Sequence, residues 1–126
     1  MRTILIIDDE KEFRKKYKKL LKEKGFTVIE AENALDVGNS LMRDHSKIDL
    51  ILLDINIPEV DGRGIWEIID EYAPELPIIV TSVHPIVDQK LKVPRCADYF
   101  SKLHKEDLLL SKIMKVLGMS ESEVVK

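Results

Sequence analysis

Three stretches of this chain are apolar without alternation: Thr3–Ile7 (TILII), Asp49–Leu53 (DLILL) and Pro77–Ser82 (PIIVTS). A strand with one wet face alternates apolar and polar residues. A strand buried on both faces does not, and such strands belong to parallel sheets covered by helices. Two further stretches of strand character, Phe26–Ala31 (FTVIEA) and Ala97–Lys102 (ADYFSK), complete a set of five.

Helix-length segments lie between them. Phe13, Tyr17, Leu20 and Leu21 fall at i, i+4, i+7 and i+8, and Gly25 stands where the chain leaves such a helix. Asn33 is placed to cap a helix bearing Ala34, Val37 and Leu41, and Asp61 one bearing Ile65, Ile68, Ile69 and Tyr72. A last helix is expected from about Lys105 to Leu117, with Leu109, Ile113, Val116 and Leu117 inward and Gly118 closing it. Five strand–helix units in one chain predict a doubly wound α/β domain over residues 1–118, followed by a polar tail over 119–126.

Composition narrows the setting. With 126 residues, 44% hydrophobic and 34% charged, the chain fits one globular domain. A net charge of -3 argues against a surface built to coat nucleic acid. The single cysteine, Cys96, excludes an internal disulfide and a cysteine-based metal site. No apolar run approaches the ~18 residues of a membrane span. Asp8, Asp9 and Glu10 cut the N-terminal apolar run too short for a signal peptide, so a cytoplasmic protein is expected.

Ligands of open α/β sheets bind outside the carboxyl ends of the strands. Reading those ends gives Asp8 and Asp9, then Asp54, then Thr81 and Ser82, then Lys102. Adjacent carboxylates raise each other's pKa unless a positive charge lies between them. Three carboxylates without histidine or cysteine suit a hard divalent cation, Mg²⁺ or Mn²⁺, with Lys102 as a further positive charge. A carboxylate is also a nucleophile towards phosphorus, and Thr81 offers a hydroxyl. Plainer readings stand beside these. Asp8 and Asp9 would also serve to cap the first helix, Asp54 to form a turn, Thr81 to pack within its strand and Tyr99 to pack at an edge. His45, His84 and His104 read as solvated, Cys96 as a small buried thiol, Trp66 as packing on the third helix, and the lysine-rich run 14–24 as the wet face of the first helix.

Taken together, these residues give the chain a clear likeness. Over residues 1–117 it resembles the receiver domain of bacterial two-component response regulators. The likeness rests on Asp8–Asp9, Asp54 after LILL, Pro58 with Asp61–Gly62, Thr81 after PIIV, and Tyr99 three residues before Lys102. It implies a flavodoxin-like sheet of order 2-1-3-4-5. It implies that Asp54 is the phosphoacceptor, that Asp9, Asp54 and the Asn56 backbone carbonyl ligate Mg²⁺ with Asp8 nearby, that Thr81 and Tyr99 form a switch pair, and that Lys102 meets the phosphoryl group. It further implies phosphotransfer from a histidine kinase or histidine phosphotransfer protein. It also implies a phosphorylation-dependent change in the surface of the fourth helix, fifth strand and fifth helix. No attached output domain, no independent enzymatic turnover, no direct binding of nucleic acid or membrane, and a monomer or weak homodimer are expected.

The chain departs from that family in four places. Leu103 follows Lys102 where a proline in a cis peptide is usual, and a cis bond before leucine costs roughly 3–4 kcal/mol. A trans bond is therefore expected, with Lys102 reaching Asp54 less directly. Ser82 replaces a smaller residue, Arg95 replaces a glycine, and Pro85 and Pro94 bracket the fourth helix. Because residues before proline avoid the helical region, that helix is expected to span at most Pro85–Lys92 and to be weakly anchored. Asp9→Asn is expected to weaken metal binding and stabilise the metal-free fold. Two alternatives remain at this point: an aspartate-nucleophile phosphatase of the haloacid dehalogenase kind, suggested by LLLDIN, and a receiver-like interaction module without phosphorylation.

Overall fold

The structure, a computed structural model, describes residues 2–55, 62–92 and 96–120. Five strands and five helices alternate: β1 Thr3–Ile7, α1 Lys11–Glu23, β2 Thr27–Ala31, α2 Ala34–Asp44, β3 Leu50–Asp54, α3 Gly62–Tyr72, β4 Ile78–Ser82, α4 Ile86–Lys92, β5 Asp98–Ser101 and α5 Glu106–Leu117. The strands form one parallel sheet in the order β2-β1-β3-β4-β5.

The continuous apolar strands explain the layering. Successive side chains point to opposite faces of a strand, and here both faces are buried. Leu5, Ile7, Ile51, Leu53, Ile78 and Val80 pack with Val37 and Leu41 of α2 and Ile65 and Ile69 of α3. Ile4, Ile6, Leu50, Leu52, Ile79 and Phe100 pack on the other face with Tyr17 and Leu21 of α1 and Leu109 and Ile113 of α5. A full side chain of this size contributes about 1.5–3 kcal/mol on burial, so the two clusters supply the main driving force for the sheet.

Helix ends follow the expected local chemistry. The Asn33 side chain accepts a hydrogen bond from the Asp36 N–H at 2.9 Å and caps α2. Gly25 and Gly118 adopt positive φ, 90° and 66°, where a side chain would be strained. Each lets the chain turn back: the Phe26 N–H reaches the Leu21 carbonyl and the Met119 N–H reaches the Met114 carbonyl. The proposed cap at Asp61 lies outside the described residues.

Several element boundaries shift by one residue from the sequence reading, among them Asp49, Pro77, Ala97 and Lys102, which lie just outside their strands, and three of the shifts bear on the site or the core. Asp54 is the last residue of β3 rather than the first beyond it, and it stands in register with Thr81. Phe26 leaves β2 to fill the core under α1 and α5. Lys105 is the N-cap of α5, which begins at Glu106. The fourth helix is as short as expected, seven residues from Ile86 to Lys92. Its flanking positions Val93, Pro94 and Arg95 lie outside the described residues.

Candidate functional site

The carboxyl ends of β1, β3, β4 and β5 converge on one rim. Asp8 and Asp54 are almost fully buried there, with 1% and 2% of their surface exposed, whereas Asp9 and Glu10 are exposed. Carboxylate oxygens of Asp8, Asp9, Glu10 and Asp54 all lie within 4.8 Å of one another. Four hard oxygen donors so close together, two of them without water, fit a hard divalent cation.

Lys102, the residue that follows β5, supplies positive charge. Its Nζ lies 2.7 Å from Asp8 Oδ2, 3.1 Å from Asp54 Oδ2 and 3.5 Å from Glu10 Oε1. It also stands 4.1 Å from the centroid of the Phe13 ring, a cation–π distance. The Lys102–Leu103 peptide is trans, as expected. A less direct reach to Asp54 was expected with it, yet Nζ meets Asp54 without an intermediary: the Lys102 N–H pairs with the Ser82 carbonyl at 2.7 Å, which carries the strand pairing one residue further and holds the lysine in line with the rim.

Electrostatics follow from burial. Removal from water is the largest influence on Asp8 and pushes its pKa up to about 6, against the pull of Lys102. Burial opposes the charge on Lys102, but its hydrogen bond to Asp8 and the charges of Asp54 and Asp8 outweigh it and hold the ammonium above its ordinary pKa. Lys102 therefore favours the charged form of Asp8 and is itself held charged, while burial leaves Asp8 easier to protonate than an ordinary carboxylate.

The β1–α1 loop that carries the acids is closely tied. Asp8 Oδ1 accepts from the Glu10 N–H at 2.9 Å, and the Asp8 N–H donates to the Ala31 carbonyl at 3.0 Å. Glu10 itself is the N-cap of α1 and makes no side-chain cap bond, so neither Asp8 nor Asp9 stands at the capping position. Glu10 thus joins Asp8, Asp9 and Asp54 in the acidic cluster, a member the sequence reading does not assign. The run DDE in the sequence held that signal. Arg14 was also missed. It sits in the lysine-rich run read as a wet face, yet it is buried beside Tyr17 and Leu21. The spacing 14, 17, 21 places all three on one helical face.

The remaining residues fall into place unevenly. Thr81 is 2% exposed and lies beside Asp54 across the β3–β4 pair. Ser82 is fully buried, and its Oγ accepts from the His84 N–H at 3.2 Å. Tyr99 packs in the cluster under α2 and α3, with Lys90 Nζ 5.8 Å from its ring centroid. Asn56 and Pro58 lie outside the described residues. Cys96 is half-buried, donates to the Asp98 carbonyl at 3.1 Å, and has its thiol pKa raised by burial, the behaviour of an inert thiol. His45, His84 and His104 are exposed.

Comparison with known proteins agrees with this arrangement. Residues 4–114 match the family model described as the response regulator receiver domain. A putative NtrX-like response regulator of Rickettsia bellii is 30% identical over 111 residues, covering 85% of this chain and 23% of its own length. The chain thus spans about a quarter of the NtrX-like relatives it matches. The polar-differentiation response regulator DivK of Brucella anthropi is 26% identical and covers 93% of this chain and 97% of its own length. Among solved structures, a two-component response regulator from Clostridium difficile superposes with a TM-score of 0.83 at 27% identity, covering 94% of this chain and 97% of that one. The response regulator TrrA of Thermotoga maritima, solved in complex with Mg²⁺-BeF, superposes with a TM-score of 0.79 at 27% identity, covering 92% and 99%. Family match, strand order and strand-end residues favour a receiver over a haloacid dehalogenase-like phosphatase, and the chain belongs to the response regulator receiver domain family.

Proposed function

We propose that Asp54 accepts a phosphoryl group from a phosphohistidine of a histidine kinase or a histidine phosphotransfer protein, and that the chain acts as a phosphorylation-dependent switch. The observation that carries this reading is the buried triad at the end of the central strand, in which Lys102 Nζ lies within 3.1 Å of both Asp8 and Asp54. An Asp54 carboxylate oxygen attacks phosphorus, the P–N bond breaks, and the imidazole leaves with the bonding electron pair. Lys102 moves its hydrogen bond from the Asp54 carboxylate to a phosphoryl oxygen, where it meets the transferred charge. Thr81, beside Asp54 in register, offers its hydroxyl to a second oxygen. Tyr99, on the adjoining strand, completes the switch pair.

Asp8, Asp9 and Asp54 would hold Mg²⁺ or Mn²⁺, with Glu10 beside them and the Asn56 carbonyl as the backbone ligand. The proximity of four carboxylates supports this, as does the Mg²⁺-BeF complex of the similar TrrA. Bound there, the cation would supply positive charge against the phosphoryl oxygens. The role is that of an acceptor without turnover of an independent substrate. A cytoplasmic setting fits it, and among the described residues no helix is long and apolar enough to cross a membrane.

Incubation with Mg²⁺ and acetyl phosphate should add one hydroxylamine-sensitive phosphoryl group by intact mass. Asp54→Asn should abolish it, and equal labelling of that variant would overturn the assignment.

A further inference from the structure

A buried guanidinium lies behind the acidic loop. Arg14 is 9% exposed, and each of its three nitrogens faces an oxygen. Nη1 donates to the Asp8 carbonyl at 2.7 Å, Nε lies 3.5 Å from Glu30 Oε1, and Nη2 lies 3.4 Å from Glu32 Oε2. Glu30 belongs to β2, and Glu32 follows that strand. The Glu30 side chain is also fixed by Lys18 at 2.9 Å. Arg14 therefore spans from α1 to the end of β2 and grips the β1–α1 loop at Asp8.

From this we infer that Arg14 is a positioning residue for the cation site: it fixes the backbone of Asp8 so that Asp8 and Asp9 present their carboxylates together. This rests on the reading of the acidic cluster as that site. A planar fork suits the task because it holds three acceptors at set angles, which an ammonium cannot do. Residues that orient metal ligands commonly change affinity by 10–100-fold when altered.

The sign of the effect separates this role from a simple charge effect. Arg14 is a positive charge close to a cation site. On charge alone, removing it would tighten Mg²⁺ binding, and replacing it with lysine would change nothing. If Arg14 acts by position, both changes weaken binding.

The test is calorimetric titration with Mg²⁺ alone on wild type, Arg14→Met and Arg14→Lys, together with amide hydrogen exchange at Glu10. Roughly tenfold weaker binding is expected for Arg14→Met. A smaller loss is expected for Arg14→Lys, which keeps the charge on a single donor nitrogen and so guards against failure to fold. The Glu10 amide, which donates to Asp8 Oδ1, should lose protection in both variants. Equal or tighter Mg²⁺ binding by Arg14→Met, or an unchanged Arg14→Lys with an unchanged Glu10 amide, would overturn the inference. Wild type that takes up no Mg²⁺ would overturn the cation site instead. Protection at Glu10 would then decide separately whether Arg14 holds the loop.

Discussion

Lys102 lies closer to Asp8 than to Asp54: its Nζ is 2.7 Å from the first carboxylate and 3.1 Å from the second. The ammonium and both carboxylates are nearly free of water. One positive charge thus serves two negative ones, and the balance among them governs stability, metal uptake and chemistry at the same rim.

Removing that cation should be costly. Breaking a buried ion pair by deleting one partner typically costs roughly 3–5 kcal/mol, because the other charge is left without compensation. Lys102→Met is expected to lower unfolding stability at pH 7.5 by roughly 3 kcal/mol in urea titrations. Added Mg²⁺ should restore part of the loss, since a ligand held only by the folded state stabilises it. A variant as stable as wild type without Mg²⁺ would contradict the triad.

Asp8 sets a pH dependence with a definite sign. Burial lifts its pKa from 3.8 to about 6, so the folded state holds that proton more tightly than the unfolded chain. Such a group favours folding fully below its unfolded pKa, and the contribution disappears as pH rises through about 6. Over that window the metal-free protein should lose on the order of 3 kcal/mol from this group. The comparison that isolates this group is with Asp8→Asn. The variant should match wild type near pH 4 and exceed it at pH 7. A constant difference across the range would sink the argument.

The same proton competes with metal. Cations require the carboxylate form, so Mg²⁺ affinity should rise as pH increases through about 6, measured by titration at fixed ionic strength. The contrasting burial of the two aspartates also relocates the expected relief of strain. Asp9 is exposed, and Asp9→Asn should change metal-free stability by no more than about 0.5 kcal/mol. Asp8→Asn, not Asp9→Asn, is the variant expected to raise the melting temperature, while both weaken Mg²⁺ binding.

A buried polar side chain, Gln89, ties the short α4 to β5. Val87 and Leu91 are exposed by 66% and 81%, whereas Gln89 is fully buried. Its Nε2 donates to the His84 carbonyl at 2.8 Å and to the Phe100 carbonyl at 3.0 Å. Each such bond contributes about 1 kcal/mol. Gln89→Ala should speed amide exchange across residues 83–92 by at least tenfold while leaving the amides of β1 and β3 unchanged. Addition of beryllofluoride to wild type should alter exchange in the same segment if it senses the state of Asp54. Exchange that is slow and unmoved in both experiments would place the switch elsewhere.

Much of this protein was legible along the chain. Strands buried on both faces must read as unbroken apolar runs, so β1, β3 and β4 announced a covered parallel sheet. Asn33, Gly25 and Gly118 marked helix ends because their backbone and capping requirements are met within a few residues. The acids and the lysine stood at strand ends, where such sheets bind ligands. Which of these charges would be buried, and against what, was not legible. Asp8 and Asp9 are neighbours of the same type, yet just past the end of β1 one lies under the rim against Lys102 and the other stands in water. Arg14 looks like part of a solvated basic run until α1 settles on the sheet and brings it against Asp8, Glu30 and Glu32. Lys102 reaches both carboxylates without a cis bond because β5 continues its pairing with Ser82. Local patterns report local requirements, whereas the pairing of charges depends on register between strands distant in sequence. That register was decided only when the two faces of the sheet closed over their cores.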